Sequence, residues 1–329
     1  MTYPEFIEEW ENKNDFIVAH TSGSTGNPKL IHLPKDFVKE SALRTVNFFH
    51  LSGDSRLHSC ISPEFIGGKM MAVRANFINA AFSWETPSNC PLKDLPKESA
   101  FDLVSVVPSQ MIFILENLNN LPKVSNFLVG GAPLNDTLRK KIVESKLNVY
   151  ESYGMTETAS HIALRKVTYP QIPFSVLPEI SIETDERNCL KIIFRNGKTI
   201  QTNDISEIIS PDKFYIKGRI DNIINSGGKK INPLDLEKKI SSHLSESFFI
   251  TSFPDEKWGE KIVMIAEETE RTLNKEKLKE IFDKTLQKWE RPKEIYLVKK
   301  LPLTLNGKIF RFKDPSFLPA SSLCIDLFS

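Results

Sequence analysis

Nine consecutive residues, Thr21-Ser22-Gly23-Ser24-Thr25-Gly26-Asn27-Pro28-Lys29, constrain this chain more than any other stretch. They follow Phe16-Ile17-Val18-Ala19-His20, a short apolar run that reads as a strand. Beyond them, Phe37 to Phe49 carries apolar residues at mostly helical spacing. A strand that runs into glycines and hydroxyls brings main chain close to an anion. Gly23 and Gly26 lack a Cβ, so backbone N–H groups there can converge. Thr21, Ser22, Ser24 and Thr25 add hydroxyl donors, and Lys29 adds a positive charge. The combination suits a polyphosphate. It is not the Walker A pattern, because the two glycines stand closer together and proline precedes the lysine. The plainer alternative is a polar surface loop, for which Gly, Ser and Thr are ordinary residues.

Composition narrows the remaining options. At 329 residues the chain is long enough for its core to divide into domains. A net charge of +1 gives no reason to expect a nucleic-acid partner. No apolar stretch approaches the ~20 residues that span a bilayer. Met1 to Asn14 is acidic and aromatic, unlike a signal peptide. Cys60, Cys90, Cys189 and Cys324 form no C-x-x-C pair. That spacing argues against a zinc site or a disulfide framework, and fits a reducing cytoplasm.

Strand-like and helix-like segments then alternate. Met1 to Asn14 is expected to be a short amphipathic helix, and Leu57 to Ile61 a strand. Ile66 to Phe82 reads as helical, Phe101 to Val107 as a strand and Gln110 to Leu118 as a helix. Asn126 to Val129 is a strand before Gly130-Gly131, Leu134 to Val143 is helical, and Asn148 to Ser152 leads into Tyr153-Gly154. The alternation predicts an α/β fold with parallel units and ligands at the carboxyl ends of strands. From Pro178 to Ile216 short alternating runs suggest a small antiparallel sheet. After Gly218-Arg219-Ile220-Asp221-Asn222 the chain becomes lysine-rich, with enough helices and strands for a small α+β domain. The expected domains are residues 1–219 and 220–329. Leu318 to Ser329 carries no clear signal and reads as a loosely held tail.

Further clusters carry chemistry. In Tyr153-Gly154-Met155-Thr156-Glu157-Thr158 a hydroxyl beside a carboxylate suits phosphate contact by Thr156 and Mg²⁺ binding by Glu157. Read alone, it is a turn opening a helix. The phosphate run, Gly130-Gly131-Ala132-Pro133-Leu134, this hexapeptide, Gly218-Arg219-x-Asp221, Asn225-Ser226-Gly227-Gly228-Lys229, and Pro302-Leu303-Thr304-Leu305-Asn306-Gly307-Lys308 occur in that order. Together they resemble the acyl-adenylate-forming enzymes: acyl-CoA synthetases, luciferases and peptide-synthetase adenylation domains. The resemblance covers nearly the whole chain. It implies a large ATP- and acid-binding domain of mixed and parallel sheets, and a small C-terminal domain that swings on a hinge.

Residue by residue, the resemblance makes Thr21, Ser22, Gly23, Ser24, Thr25, Gly26 and Lys29 the phosphate loop. Gly130 and Gly131 lie against the adenine, with Tyr153 nearby. Asp204 and Arg219 take the ribose, although Asn203 stands where the family carries glycine. Asp221 is the hinge, Gly227 and Gly228 approach the thiol channel, and Lys308 is the adenylation lysine. Thr156, Glu157 and Lys308 are thereby the catalytic set, with Glu157 on magnesium. ATP, Mg²⁺ and coenzyme A are the implied cofactors and co-substrate, and a small carboxylic acid the other partner.

The acid is read from Ser62-Pro63-Glu64-Phe65-Ile66-Gly67-Gly68-Lys69-Met70-Met71-Ala72-Val73-Arg74. This segment stands where the family carries P-x-x-H-x-x-G beside the acyl group, with Phe65 near the position of the histidine. A fatty-acid tunnel would be apolar, yet Lys69 and Arg74 enter here. Arg74 can pair bidentately with a second carboxylate, unless both cations lie on the solvated face of a helix. With Gly68 and the Ser160-His161-Ile162-Ala163 run, these residues look most like the family branch that joins o-succinylbenzoate, an aromatic keto-dicarboxylic acid, to CoA in menaquinone biosynthesis. Two alternatives stay open: a ligase for another aryl or short-chain acid, loading CoA or a carrier-protein thiol, and a non-catalytic nucleotide-binding subunit. Only 20 residues precede Thr21, where family members carry a substantial subdomain. Either the enzyme is minimal or another chain supplies the surface, and a homo-oligomer is one way to do so.

Overall fold

A computed structural model describes residues 1–20, 29–244, 246–268, 275–303 and 309–326. The phosphate loop, apart from Lys29, and Lys308 therefore lie outside the described residues. The chain divides into two compact units. Unit 1 holds Met1–Glu183, Lys191–Ile200 and Ile208–Tyr215; unit 2 holds Thr184–Leu190, Gln201–Glu207 and Ile216–Ser329.

Unit 1 opens with α1 (Tyr3–Glu11). Thr2 and Glu5 close a capping box at its start, each side chain taking the other's backbone N–H. Tyr3 and Phe6 are buried, and the Tyr3 hydroxyl donates 2.8 Å to the Ile61 carbonyl. β1 (Phe16–His20) and β2 (Leu30–Pro34) form an antiparallel pair whose last register is His20 against Leu30. This pair brackets the phosphate motif. α2 (Lys35–Phe49), β3 (Arg56–Ser59), α3 (Ile66–Phe77), β4 (Ala81–Trp84), β5 (Ala100–Val106) and α4 (Pro108–Asn117) follow. Next come β6 (Lys123–Val129), α5 (Asp136–Ser145), β7 (Val149–Met155), β8 (Ser160–Lys166) and β9 (Phe174–Val176). β10 (Ile180–Thr184), β11 (Cys189–Phe194), β12 (Thr199–Ser210) and β13 (Lys213–Arg219) complete an 11-stranded sheet. Its order from β13 is β13-β9-β8-β7-β6-β5-β3-β4. β4, β3, β5, β6 and β7 run parallel, and β8 and β9 turn antiparallel.

Strand alternation assigns each face of this sheet its own core. Val104, Val106, Phe127 and Val129 pack with Met111 and Ile114 of α4 and Leu138 and Ile142 of α5. Their neighbours Leu103 and Leu128 point the other way, to Val46 of α2 and Met71 and Ala75 of α3. Helices thus cover both faces, as parallel strands require. One buried charge cluster ties α5 to β7 and β8. Glu151 Oε2 accepts from Arg139 Nη2 and from Arg165 Nε, each at 2.9 Å, all three side chains being buried. Removing the carboxylate strands two guanidinium groups in the interior. Glu151→Gln should therefore cost about 3–5 kcal/mol, read as a lowered urea midpoint of unit 1.

Unit 2 contains β14 (Ile224–Ser226), β15 (Lys229–Ile231), α6 (Pro233–Ser241), β16 (Phe248–Asp255), β17 (Gly259–Glu267), α7 (Lys275–Thr285), β18 (Glu294–Val298) and β19 (Leu323–Asp326). β17 is its central strand, antiparallel to β16 and parallel to β18. Ile262, Met264 and Ala266 face Leu236 and Ile240 of α6 and Leu278 and Phe282 of α7. Val263 and Ile265 face the opposite cluster of Phe249, Phe253 and Phe312. The α/β class, with a large mixed sheet and a small α+β unit, is as the sequence predicts.

Several elements differ from the sequence reading. The expected helix Ile66 to Phe82 stops at Phe77, because Asn79 takes a left-handed backbone (φ 55°) and the chain re-enters the sheet as β4. Leu323 to Asp326 is a strand rather than loose tail, paired antiparallel with Glu294 to Leu297.

Candidate active site

The turn after β7 meets the strand that precedes the phosphate motif. Thr156 begins a short 3-10 turn, is nearly buried, and donates 3.3 Å from Oγ1 to the carbonyl of His20. The Thr156 turn is thereby joined to the end of β1 in unit 1. Glu157 is half-buried, and its carboxylate accepts no hydrogen bond among the described residues. Its main-chain carbonyl accepts from Lys198 Nζ at 3.3 Å, and that ammonium sits 3.8 Å from the Phe37 ring centroid. A carboxylate left without donors beside a threonine hydroxyl fits a hard divalent cation such as magnesium. Tyr153 packs its ring against Phe174 and Phe214, at centroid distances of 5.8 and 5.3 Å. Gly130 and Gly131 follow β6 at the carboxyl edge of the parallel strands, and Lys29 is exposed immediately before β2.

The two cations singled out on the acyl segment have different surroundings. Both are buried, so neither lies on a solvated helix face. Lys69 points to α1: Nζ is 3.1 Å from Glu9 Oε2 and 4.5 Å from the Phe6 ring centroid. Its charge is satisfied within the chain. Arg74, one turn further along α3, is 1% exposed. Its Nη1 reaches only Met71 Sδ, at 3.5 Å, and Nε and Nη2 have no partner among the described residues. Burial pushes its pKa down to about 9, which still leaves the guanidinium charged at neutral pH. An uncompensated interior charge is costly, so its retention asks for an anion that arrives later.

His161, on β8, is buried near this cation. Its Nε2 lies 2.9 Å from Thr45 Oγ1 of α2. Burial first, and then the Arg74 charge, hold its pKa well below 6.5, so the imidazole is neutral. The unfolded chain binds a proton there that the folded one refuses. That contribution is absent above about pH 6.5 and destabilises progressively as pH falls below it. His161→Asn should therefore flatten the fall in melting temperature between about pH 6.5 and 5, measured by scanning calorimetry. Phe65 caps α3 and is half-buried. Gly68 is there for packing: a Cβ would sit 2.3 Å from the Ser62 carbonyl oxygen.

Unit 2 gathers the residues expected to hold the ribose and to form the hinge. Arg219 spans two carboxylates, with Nη1 3.2 Å from Asp204 Oδ1 and Nη2 2.7 Å from Asp221 Oδ2. Asn203, which stands in place of the expected glycine, donates from Nδ2 to Asp221 Oδ1 at 3.0 Å. Sequence spacing missed this tie. Gly227 and Gly228 form the two-residue turn between β14 and β15, both at positive φ (57° and 78°), as a tight hairpin of this hand requires. A Cβ on Gly227 would also meet the Trp258 ring at 2.8 Å. The chain on either side of the lysine motif is held in unit 2 by the bridge Leu303 to Ile309 and by Phe310 N donating 2.8 Å to the Pro302 carbonyl.

Residues 4–185 match the family model described as AMP-binding enzyme. The chain belongs to that family. Residues 241–308 match the model for its C-terminal domain. A 2-succinylbenzoate–CoA ligase of Listeria monocytogenes is 28% identical, over 94% of this chain and 72% of the relative. The enzyme of the same name from Lactococcus lactis is also 28% identical, over 67% of this chain and 52% of its own length. Among solved structures, an acyl-CoA synthetase (AMP-forming)/AMP-acid ligase II-like protein from Dyadobacter fermentans shares 36% identity. It covers 93% of this chain and 90% of its own, with a TM-score of 0.61. The o-succinylbenzoate CoA synthetase of Bacillus subtilis, solved with its acyl-adenylate intermediate, has a TM-score of 0.79 at 20% identity. That match covers 89% of this chain and 67% of the synthetase. As an AMP-binding enzyme, the chain is an AMP-forming acid–thiol ligase by class. No helix among the described residues is long and apolar enough to cross a membrane.

Proposed function

We propose that the chain is an ATP-dependent acid:CoA ligase that works through an acyl-adenylate, with o-succinylbenzoate as its acid. The observation that carries the choice of acid is Arg74, a buried guanidinium with two unpartnered nitrogens on the helix that follows the acyl segment. An aromatic keto-dicarboxylic acid brings the missing anion: one carboxylate reacts and the other pairs with Arg74. Neutral His161 and Thr45 add polar surface without a second charge. The names of the curated relatives support the same acid. With that acid we place the reaction in menaquinone biosynthesis and the enzyme in the cytoplasm.

In the first half-reaction a carboxylate oxygen of the acid attacks the α-phosphorus of ATP. The acyl–phosphate bond forms, the bond to the β-phosphate breaks, and pyrophosphate leaves. The Thr21-to-Lys29 loop binds the phosphates, Gly130, Gly131 and Tyr153 bind the adenine, and Thr156 orients the reacting phosphate. Asp204 and Arg219 hold the ribose. Glu157 would hold magnesium, which would supply charge neutralisation on the polyphosphate. Lys308 neutralises the charge that develops as the phosphoryl group moves. In the second half-reaction the CoA sulfur attacks the acyl carbonyl, the C–O bond to phosphate breaks, and AMP leaves as the thiol proton is lost to solvent. The domains are residues 1–219 and 220–329. Rotation about Asp221 exchanges Lys308 for the Gly227-Gly228 turn between the halves.

Pyrophosphate release from ATP and Mg²⁺ with o-succinylbenzoate, benzoate, succinate and a medium-chain fatty acid tests this reading. Release is expected with o-succinylbenzoate and not with the monoacids. Release with another acid of the panel would keep the reaction and discard the substrate.

A further inference from the structure

Four polar side chains share one face of two neighbouring strands at their carboxyl ends. His58 and Cys60 stand two residues apart at the end of β3, so both project to the α4 side of the sheet. Ser83 and Glu85 occupy the matching positions at the end of β4, with His58 in register with Ser83 and Glu85 N bonded to the Ser59 carbonyl at 3.2 Å. One ligand atom each from His58, Cys60 and Glu85 lies within 4.8 Å of the others. None of these residues takes part in the ligase chemistry above.

We infer that His58, Cys60 and Glu85 form a structural Zn²⁺ site. The imidazole and the carboxylate are each already oriented by a second partner, as metal ligands are, and the cysteine is held through its main chain. His58 Nδ1 is 2.8 Å from Ser83 Oγ, so a proton donated there leaves Nε2 with its lone pair free. That Nε2 is fully buried, lacks a hydrogen-bond partner among the described residues, and lies 3.6 Å from Glu85 Oε2. Both oxygens of Glu85 accept from Leu92 N, at 3.1 and 3.0 Å, which fixes the carboxylate toward the histidine. The main chain of Cys60 is held by Ser105 and by the Gln110 amide, which also binds the Ser88 carbonyl.

One imidazole, one thiolate and one carboxylate form a nitrogen, sulfur and oxygen set that suits Zn²⁺, with water in the fourth position. Binding releases the thiol proton, and the two anionic ligands then balance the divalent charge. The ion would fasten the Glu85-to-Leu92 stretch to the sheet. Cysteine spacing could not show it, because the site uses one cysteine and ligands from two strands.

The test uses the full chain with the exposed Cys90 and Cys324 changed to serine, titrated with Co²⁺ and then Zn²⁺. The expected result is one Co²⁺ per chain, a thiolate-to-cobalt charge-transfer band, and displacement by Zn²⁺ with a raised melting temperature. Cys60→Ser should abolish the band. Glu85→Gln, a milder change should Cys60→Ser fail to fold, should weaken Zn²⁺ binding by at least ~100-fold while leaving the far-ultraviolet dichroism unchanged. Absence of a stoichiometric cobalt complex, or a band that survives in Cys60→Ser, would overturn the assignment.

Discussion

Lys308→Ala should lower acyl-adenylate formation by about 10²–10³-fold while sparing thioester formation from supplied acyl-adenylate. The magnitude is that of removing one preorganised donor from a developing oxyanion. The asymmetry follows from the two-step scheme. In the proposed scheme the lysine acts on the transfer at phosphorus, whereas attack of the thiol on the carbonyl uses the Gly227-Gly228 face. The neighbouring chain is well anchored in unit 2: Arg311 Nη2 binds Glu237 Oε2 at 2.8 Å, and Phe312 is buried in the core beside Phe249 and Phe253. The substitution should therefore leave the fold intact. Half-reactions measured by pyrophosphate exchange and by CoA-dependent AMP release separate the two effects. Equal loss of both would remove Lys308 from its assigned role.

Arg74→Met should behave unlike an ordinary core mutation. Truncating one partner of a desolvated charge pair costs a ligand about 2–5 kcal/mol, so kcat/KM for the dicarboxylic acid should fall at least ~30-fold. The free protein should be as stable as the parent or more so. Methionine is close in volume, and it replaces a buried charge whose Nε and Nη2 have no partner among the described residues. A structural arginine predicts the reverse: a large drop in melting temperature with no change in preference between mono- and dicarboxylic acids. Lys69→Met is the internal contrast, because it breaks an existing pair with Glu9. It should destabilise the protein without changing substrate preference.

The sequence makes the chemistry more legible than the supports around it. Thr156, Glu157 and Arg74 stand out because hydroxyls, carboxylates and cations in apolar or glycine-rich settings are unusual over a few residues. Glu9 does not stand out, yet it decides the fate of Lys69 from 60 residues away. The same holds for Glu151, whose partners Arg139 and Arg165 come from different elements, and for Asn203, whose contact with Asp221 spans 18 residues. The fold shows the same division. β5 and β18 are mainly apolar, β-branched and aromatic runs and read directly from the sequence. β4 hides in an apolar run that begins as helix, and only the left-handed turn at Asn79 separates the two. β19 is too short to announce itself, and becomes a strand because β18 offers it a free edge.

Mass spectrometry of one reaction decides whether the chain joins o-succinylbenzoate to CoA. With ATP, Mg²⁺, CoA and o-succinylbenzoate, equal amounts of AMP and o-succinylbenzoyl-CoA are expected. Little product is expected from 4-oxo-4-phenylbutanoate, which lacks the aromatic carboxylate. No thioester from o-succinylbenzoate, or equal turnover of the two acids, would contradict it.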